Sequence, residues 1–205
     1  MNLPNKLTLV RIILVPFVMF FIMLPKMVIG ADASGDSNGI ELVCGIISAA
    51  IFAIAALTDM FDGKIARKRG LITDFGKFMD PIADKLLIFG TFIAFIYASD
   101  YFSAALVWMT VILLLREFAV TSVRLLAQNS EGVVIAASNL GKIKTVSQCI
   151  SVLIVILEPY ILGGIKIFAE YRLLSWTALT VMIFFAVYSG IDYIASYWKY
   201  ITPNK

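Results

Sequence analysis

Histidine is absent from the 205-residue chain. Any general base must therefore be a carboxylate or another group, and any bound metal must be held largely by oxygen. Cysteine is scarce. Cys44 and Cys149 both lie in apolar runs, which reads as two small buried side chains rather than a disulfide or a metal pair. Charge is scarce as well: 15% of residues are Asp, Glu, Lys or Arg, and 60% are hydrophobic. A soluble domain carries roughly a quarter charged residues, so a soluble fold is excluded. The net charge of +3 does not indicate a nucleic-acid partner; it suits a protein facing anionic lipid headgroups.

The chain offers long apolar runs instead. A membrane-spanning helix needs roughly 20 residues, and the pattern predicts six spans, at 12–28, 41–58, 78–97, 103–127, 143–162 and 173–198. The expected fold is all-α: one polytopic membrane domain covering 1–205, with six transmembrane helices and a short N-terminal interfacial helix. The interfacial helix is read from Asn2 to Arg11, where Pro4 suits a first turn and Asn5, Thr8 and Arg11 recur every three residues. Pro16 is expected to kink the first span. Lys6, Arg11, the following apolar run and Ala31-Asp32-Ala33 imitate a secretory signal, but the polar stripe and Pro16 fit a retained helix better.

Polar loops are expected at 30–39 and 128–132, and a connection of amphipathic character at 163–172. Tyr193, Tyr197, Trp198 and Tyr200 resemble an aromatic interface belt. Six spans put both termini on one side. Fourteen of the 17 Lys and Arg residues fall on that side, leaving Lys26, Lys166 and Arg172 on the other. By the positive-inside rule both termini face the cytoplasm. No internal repeat or second domain is visible.

One stretch breaks the apolar pattern. Asp59 and Asp62 are three apart and followed by Gly63; Asp80 and Asp84 are four apart and preceded by Gly76. On a helix these spacings put each pair on one face. If the two helices pack side by side, four carboxylates converge at the cytoplasmic ends of spans two and three. They cannot all remain ionised unless cations lie between them, and hard divalent ions such as Mg²⁺ or Mn²⁺ suit oxygen ligands. Ionisable groups in such positions are usually functional. A two-metal centre at a membrane surface points to phosphoryl or phosphodiester chemistry.

Gly63 and Ala66 leave room for a nucleotide against the helix, or for a close helix neighbour, and Arg67 can pair with a phosphate or a motif carboxylate. Arg116 and Glu117 sit inside the fourth span. Arg116 pairs with a nearby carboxylate or, with Arg124 two turns on and Lys142, forms a pocket for an anionic substrate. Lys144 reads as a snorkelling surface residue.

The series Asp59-x-x-Asp62-Gly63-x-x-Ala66-Arg67, eight residues, Gly76-x-x-x-Asp80-x-x-x-Asp84 resembles the signature of the CDP-alcohol phosphotransferases, with every signature position filled. The N-terminal N-L-P-N-K-L-T-L-V-R, L-R-E-F-A-V-T-S-V-R ending at Arg124, and L-G-K-I-K-T ending at Thr145 are similar to the bacterial phosphatidylglycerophosphate synthase branch. The resemblance implies a six-helix enzyme of the bacterial cytoplasmic membrane, usually a homodimer, that joins CDP-diacylglycerol to sn-glycerol 3-phosphate. It implies that Asp59, Asp62, Asp80 and Asp84 hold the metals, with Asp84 also the base. Asp59, Asp62, Gly63, Ala66 and Arg67 would form the CDP site. Arg116, Arg124 and Lys142 would hold the acceptor phosphate, with Thr8 and Arg11 nearby. A sister enzyme using inositol phosphate, phosphatidylglycerol or serine is the alternative. The cation trio disfavours serine, which has no phosphate. An ion-coupled transporter is disfavoured because no pair of broken helices recurs in two halves.

Overall fold

The computed structural model describes residues 2–29, 37–69, 74–99, 101–131 and 139–198. They form α1 (Leu3–Ile29), α2 (Ser37–Arg69), α3 (Asp74–Ala98), α4 (Ser103–Glu131), α5 (Asn139–Ile161), α6 (Lys166–Tyr171) and α7 (Leu173–Ser196). Among these residues there is no strand, and all helices but α6 are long and apolar enough to cross a membrane. The protein is therefore a multi-pass membrane protein.

Neighbour relations close into a ring. α1 packs on α2 and α3, α3 on α4, α4 on α7, α7 on α5 and α5 back on α2. The interior is filled from every span, by Val18, Phe52, Phe92, Leu113, Val152 and Met182 among others. The outward faces carry Phe17, Ile54, Phe118 and Phe184, all more than half exposed, as a bilayer requires. Glycine permits one close contact here: a Cβ on Gly45 of α2 would fall 2.2 Å from the Tyr160 ring of α5.

Two buried polar groups of α5 find partners on α7. The Glu158 carboxylate near the end of α5 accepts from the Leu174 N–H at 2.9 Å, the Ser175 N–H at 2.8 Å and the Ser175 hydroxyl. It thus satisfies donors of the first turn of α7 that have no helical acceptor. The Ser151 hydroxyl donates to the Ala178 carbonyl at 2.8 Å, a second tie between α5 and α7.

The structure revises four expectations. The N-terminal interfacial helix is not separate: α1 runs unbroken from Leu3 to Ile29 with Pro16 and Pro25 inside it, and Asn5, Thr8 and Arg11 are buried. Their polar stripe faces protein partners, not the membrane surface. Secondly, α2 and α3 scarcely touch; each packs instead on α1. Thirdly, α4 continues to Glu131, through most of the expected loop, because Leu125, Leu126, Ala127 and Gln128 are strong helix formers. Finally, the connection after α5 contains the short α6, and Arg172 turns the chain from α6 into α7 with φ 47°. The expected loop at 30–39 falls largely outside the described residues.

Candidate active site

Asp59 of the first motif pair and Asp80 and Asp84 of the second meet through α1. Arg11 is completely buried, and its Nη1 lies 2.8 Å from Asp59 Oδ1 on α2 and 2.6 Å from Asp84 Oδ1 on α3. One nitrogen therefore bridges carboxylates from both halves of the signature. One turn earlier on α1, the buried Thr8 hydroxyl donates to Asp80 Oδ1 at 2.6 Å. Spacings of three on α1 and four on α3 put these two contacts in parallel. Asp62, Gly63, Ala66 and Arg67 lie on the helical backbone of α2, and their side chains are outside the described set.

The site has an inside and an outside. Arg11 has no exposure, whereas the Asp59 and Asp84 side chains are 36% and 49% exposed. The guanidinium thus grips the carboxylates from the protein interior and leaves their other surface open. Among the described residues no three Asp, Glu or Cys side chains are gathered closely enough to ligate a metal. Asp59 and Asp84 nevertheless share one donor atom, and their ligand atoms are oxygen, a donor type that fits a hard divalent cation.

A second polar network lies between α4, α5 and α7. Arg116 donates from Nη1 to Glu117 at 2.9 Å, from Nη2 to the Ser189 hydroxyl at 2.9 Å and from Nε to the Ala186 carbonyl at 3.3 Å. Its aliphatic stem passes over Gly190, where a Cβ would meet Arg116 Cγ at 2.9 Å. Lys144 is buried and donates to the same Glu117 oxygen. This corrects the expectation of a surface lysine. Lys144 belongs to the buried stripe of α5 with Gln148, Ser151 and Val155, and the Glu117 carboxylate inside an apolar span demands a counter-ion.

Arg124, two turns beyond Arg116, faces α7 as well, with its guanidinium 5.9 Å from the Tyr193 ring centre and Nε 3.5 Å from its hydroxyl. Lys142 is exposed. The networks adjoin: Cys149 on α5 lies within electrostatic reach of Asp59, Asp84 and Lys144. Lys85, next to Asp84, reaches Thr121 on α4 at 3.5 Å and acts electrostatically on Glu117.

Sequence alone assigns no partner to Glu117 and no role to Lys85. Glu117 was visible as a charge inside an apolar span, but its partner Lys144 is 27 residues away, and only the α4–α5 arrangement reveals it. Lys85 carried no signal beyond its position beside Asp84.

Comparison with known proteins agrees with this layout. Residues 1–188 match the CDP-alcohol phosphatidyltransferase family. The chain is 42% identical to the CDP-diacylglycerol–glycerol-3-phosphate 3-phosphatidyltransferase of Bacillus subtilis, over all of this chain and 99% of that protein. It is 33% identical to a protein of the same name from Rickettsia felis, over 97% of each. It is 36% identical to a probable phosphatidylglycerophosphate synthase of Mycobacterium tuberculosis, over 95% of this chain and 80% of that protein. The filled aspartate signature, the six-span ring that carries it and these matches across almost the whole length make the chain a member of the CDP-alcohol phosphatidyltransferase family.

Proposed function

We propose that the protein transfers the phosphatidyl group of CDP-diacylglycerol to sn-glycerol 3-phosphate, giving phosphatidylglycerophosphate and CMP. The activity named for its full-length relatives supports this reading. The structural observation that supports it is a bridged carboxylate centre beside a buried network that contains Arg116 and Lys144, an arrangement suited to a nucleotide diphosphate and an anionic acceptor.

In the proposed reaction the acceptor hydroxyl oxygen bonds to the lipid-side phosphorus, the bond to the CMP oxygen breaks, and the hydroxyl proton passes to Asp84. Asp59, Asp62, Asp80 and Asp84 would hold divalent cations such as Mg²⁺ or Mn²⁺; members of the family are generally metal-dependent. Bound there, the metals would neutralise the diphosphate and the charge developing on the leaving group. Gly63, Ala66 and Arg67 line the nucleotide. Arg116, Arg124 and Lys142 hold the acceptor phosphate. CMP release by purified protein with CDP-diacylglycerol should require glycerol 3-phosphate. Equal rates with free glycerol, serine or inositol phosphate would refute the assignment.

Thr8 and Arg11 act in this scheme on the carboxylates, not on the acceptor. Their buried donors hold the carboxylates of Asp80, Asp59 and Asp84 from the protein interior. Partners behind metal ligands typically change metal affinity by about 10–100-fold. Arg11→Met should therefore weaken Mn²⁺ binding by about that factor in a titration without substrates. Unchanged Mn²⁺ binding in the variant would remove Arg11 from the metal centre. No Mn²⁺ binding in the wild type would remove the centre itself.

The distribution of Lys and Arg supports a cytoplasmic active site and cytoplasmic termini. In intact cells a thiol introduced by Ser34→Cys should react with an impermeant reagent, and one introduced by Asn204→Cys should not. The opposite pattern reverses the orientation. The family resemblance further favours a homodimer.

A further inference from the structure

At the end of the ring opposite the aspartates lies a cavity of about 470 Å³ between α1, α2, α3, α5 and the start of α7. That volume falls within the usual range of ligand pockets, roughly 300–1,000 Å³. Phe95 and Phe102 are part of its apolar wall, while Lys26, Arg172, Glu41 and Tyr160 are among its polar groups. Lys26 and Arg172 are two of only three basic residues on this side of the membrane. Topology depletes this side of positive charge, yet two of the cations share one cavity. Arg172 is also the single non-glycine residue with positive φ among those described, at 47°. A side chain held there costs conformational energy, and such residues concentrate at functional sites. The Tyr101 hydroxyl, from the cavity wall, donates to the Tyr171 carbonyl at 3.3 Å and ties the wall to the backbone beside Arg172.

Lys26, near the end of α1, and Arg172, at the start of α7, both stand at span ends, where lipid headgroups lie. Among the described residues the lining carries two cations, Lys26 and Arg172, and one carboxylate, Glu41, a set that suits an anionic group such as a phosphodiester. The Glu41 carboxylate is an acceptor for hydroxyl groups carried beyond that phosphate. The aromatic wall provides an apolar surface for the glycerol backbone and the upper acyl carbons.

We propose that this cavity binds the headgroup of an anionic, hydroxyl-bearing glycerophospholipid from the leaflet on its own side of the membrane. The site is separate from the aspartate centre, and its occupancy bridges α1 and the α6–α7 corner.

The test uses full-length protein in neutral detergent, with lipid retention read by native mass spectrometry. Phosphatidylglycerol should be retained in preference to phosphatidylcholine, and inorganic phosphate should not displace it. Lys26→Gln combined with Arg172→Gly removes both charges, and glycine accepts the φ of 47°. The pair should weaken phosphatidylglycerol binding by about tenfold or more, with CMP release unchanged. Because the comparison is between wild type and variant, lipid held at the aspartate end cancels. Should the double variant fail to fold, Lys26→Gln alone must still lower retention. Equal retention by the variant, equal retention of phosphatidylcholine, or displacement by inorganic phosphate would each overturn the proposal.

Discussion

Asp84→Asn is expected to lower kcat by about 10²-fold or more, the scale on which a positioned general base acts, with CDP-diacylglycerol binding largely retained. A hydroxyl is a poor nucleophile until a base takes its proton, and this chain has no histidine to do so. Asp84 is the most open of the contacts around Arg11, with its side chain 49% exposed. Its Oδ1 accepts from Arg11 at 2.6 Å, which anchors the carboxylate to α1. Asparagine keeps the shape and one oxygen to accept from Arg11, so the α1–α3 contact survives while the basicity is lost. Asp59→Asn is expected to differ, losing metal and nucleotide binding together. Steady-state kinetics with a separate CDP-diacylglycerol binding measurement distinguishes the two. Near-normal turnover in Asp84→Asn would exclude it as the base. Loss of nucleotide-lipid binding in that variant would make it chiefly a metal ligand.

The spans were legible because a bilayer allows few solutions. Apolar runs of about 20 residues read directly as helices, and all six appear in the structure, five of them within a few residues of their expected bounds and the first beginning earlier, at Asn5. The aspartate pairs were legible because their three- and four-residue spacings belong to one helix each. What joins them was not. Arg11 and Asp84 are 73 residues apart, and the sequence does not tell that α1 stands between α2 and α3. The same limit explains Lys144. Snorkelling is the ordinary behaviour of a lysine near a span end, and only the buried carboxylate of Glu117, brought in from another helix, makes burial favourable here. The end of α4 was misplaced for the opposite reason, since Asn129, Ser130 and Gly132 suggest a turn while the preceding residues favour helix. The cavity at the far end left no local pattern, because α1, α2, α3, α5 and the start of α7 all contribute to it.

The second large effect is expected at Glu117. Its carboxylate accepts from both Arg116 and Lys144, and all three side chains are at most 16% exposed. Removing the shared anion leaves two cations close together with little water. Breaking a buried ion pair from one side typically costs about 3–5 kcal/mol. Glu117→Gln preserves the shape and isolates the charge, so the purified variant should unfold roughly 5 °C or more below wild type. The sign of the coupling gives the sharper result. Adding Lys144→Met removes one stranded cation, so the double variant should be more stable than Glu117→Gln alone. A structural role would end there, but Glu117 also tethers Arg116, the proposed phosphate ligand. In Glu117→Gln that has remained folded, KM for glycerol 3-phosphate should rise while KM for CDP-diacylglycerol changes little. Wild-type stability in the single variant, or further loss on adding Lys144→Met, would show that the anion is not what holds the two cations. Stability lost with both KM values intact would leave Glu117 as a structural ion pair and detach Arg116 from the acceptor. The ring geometry favours the combined outcome, because Arg116 reaches Ser189 and Ala186 on α7 with the same guanidinium that Glu117 fixes on α4.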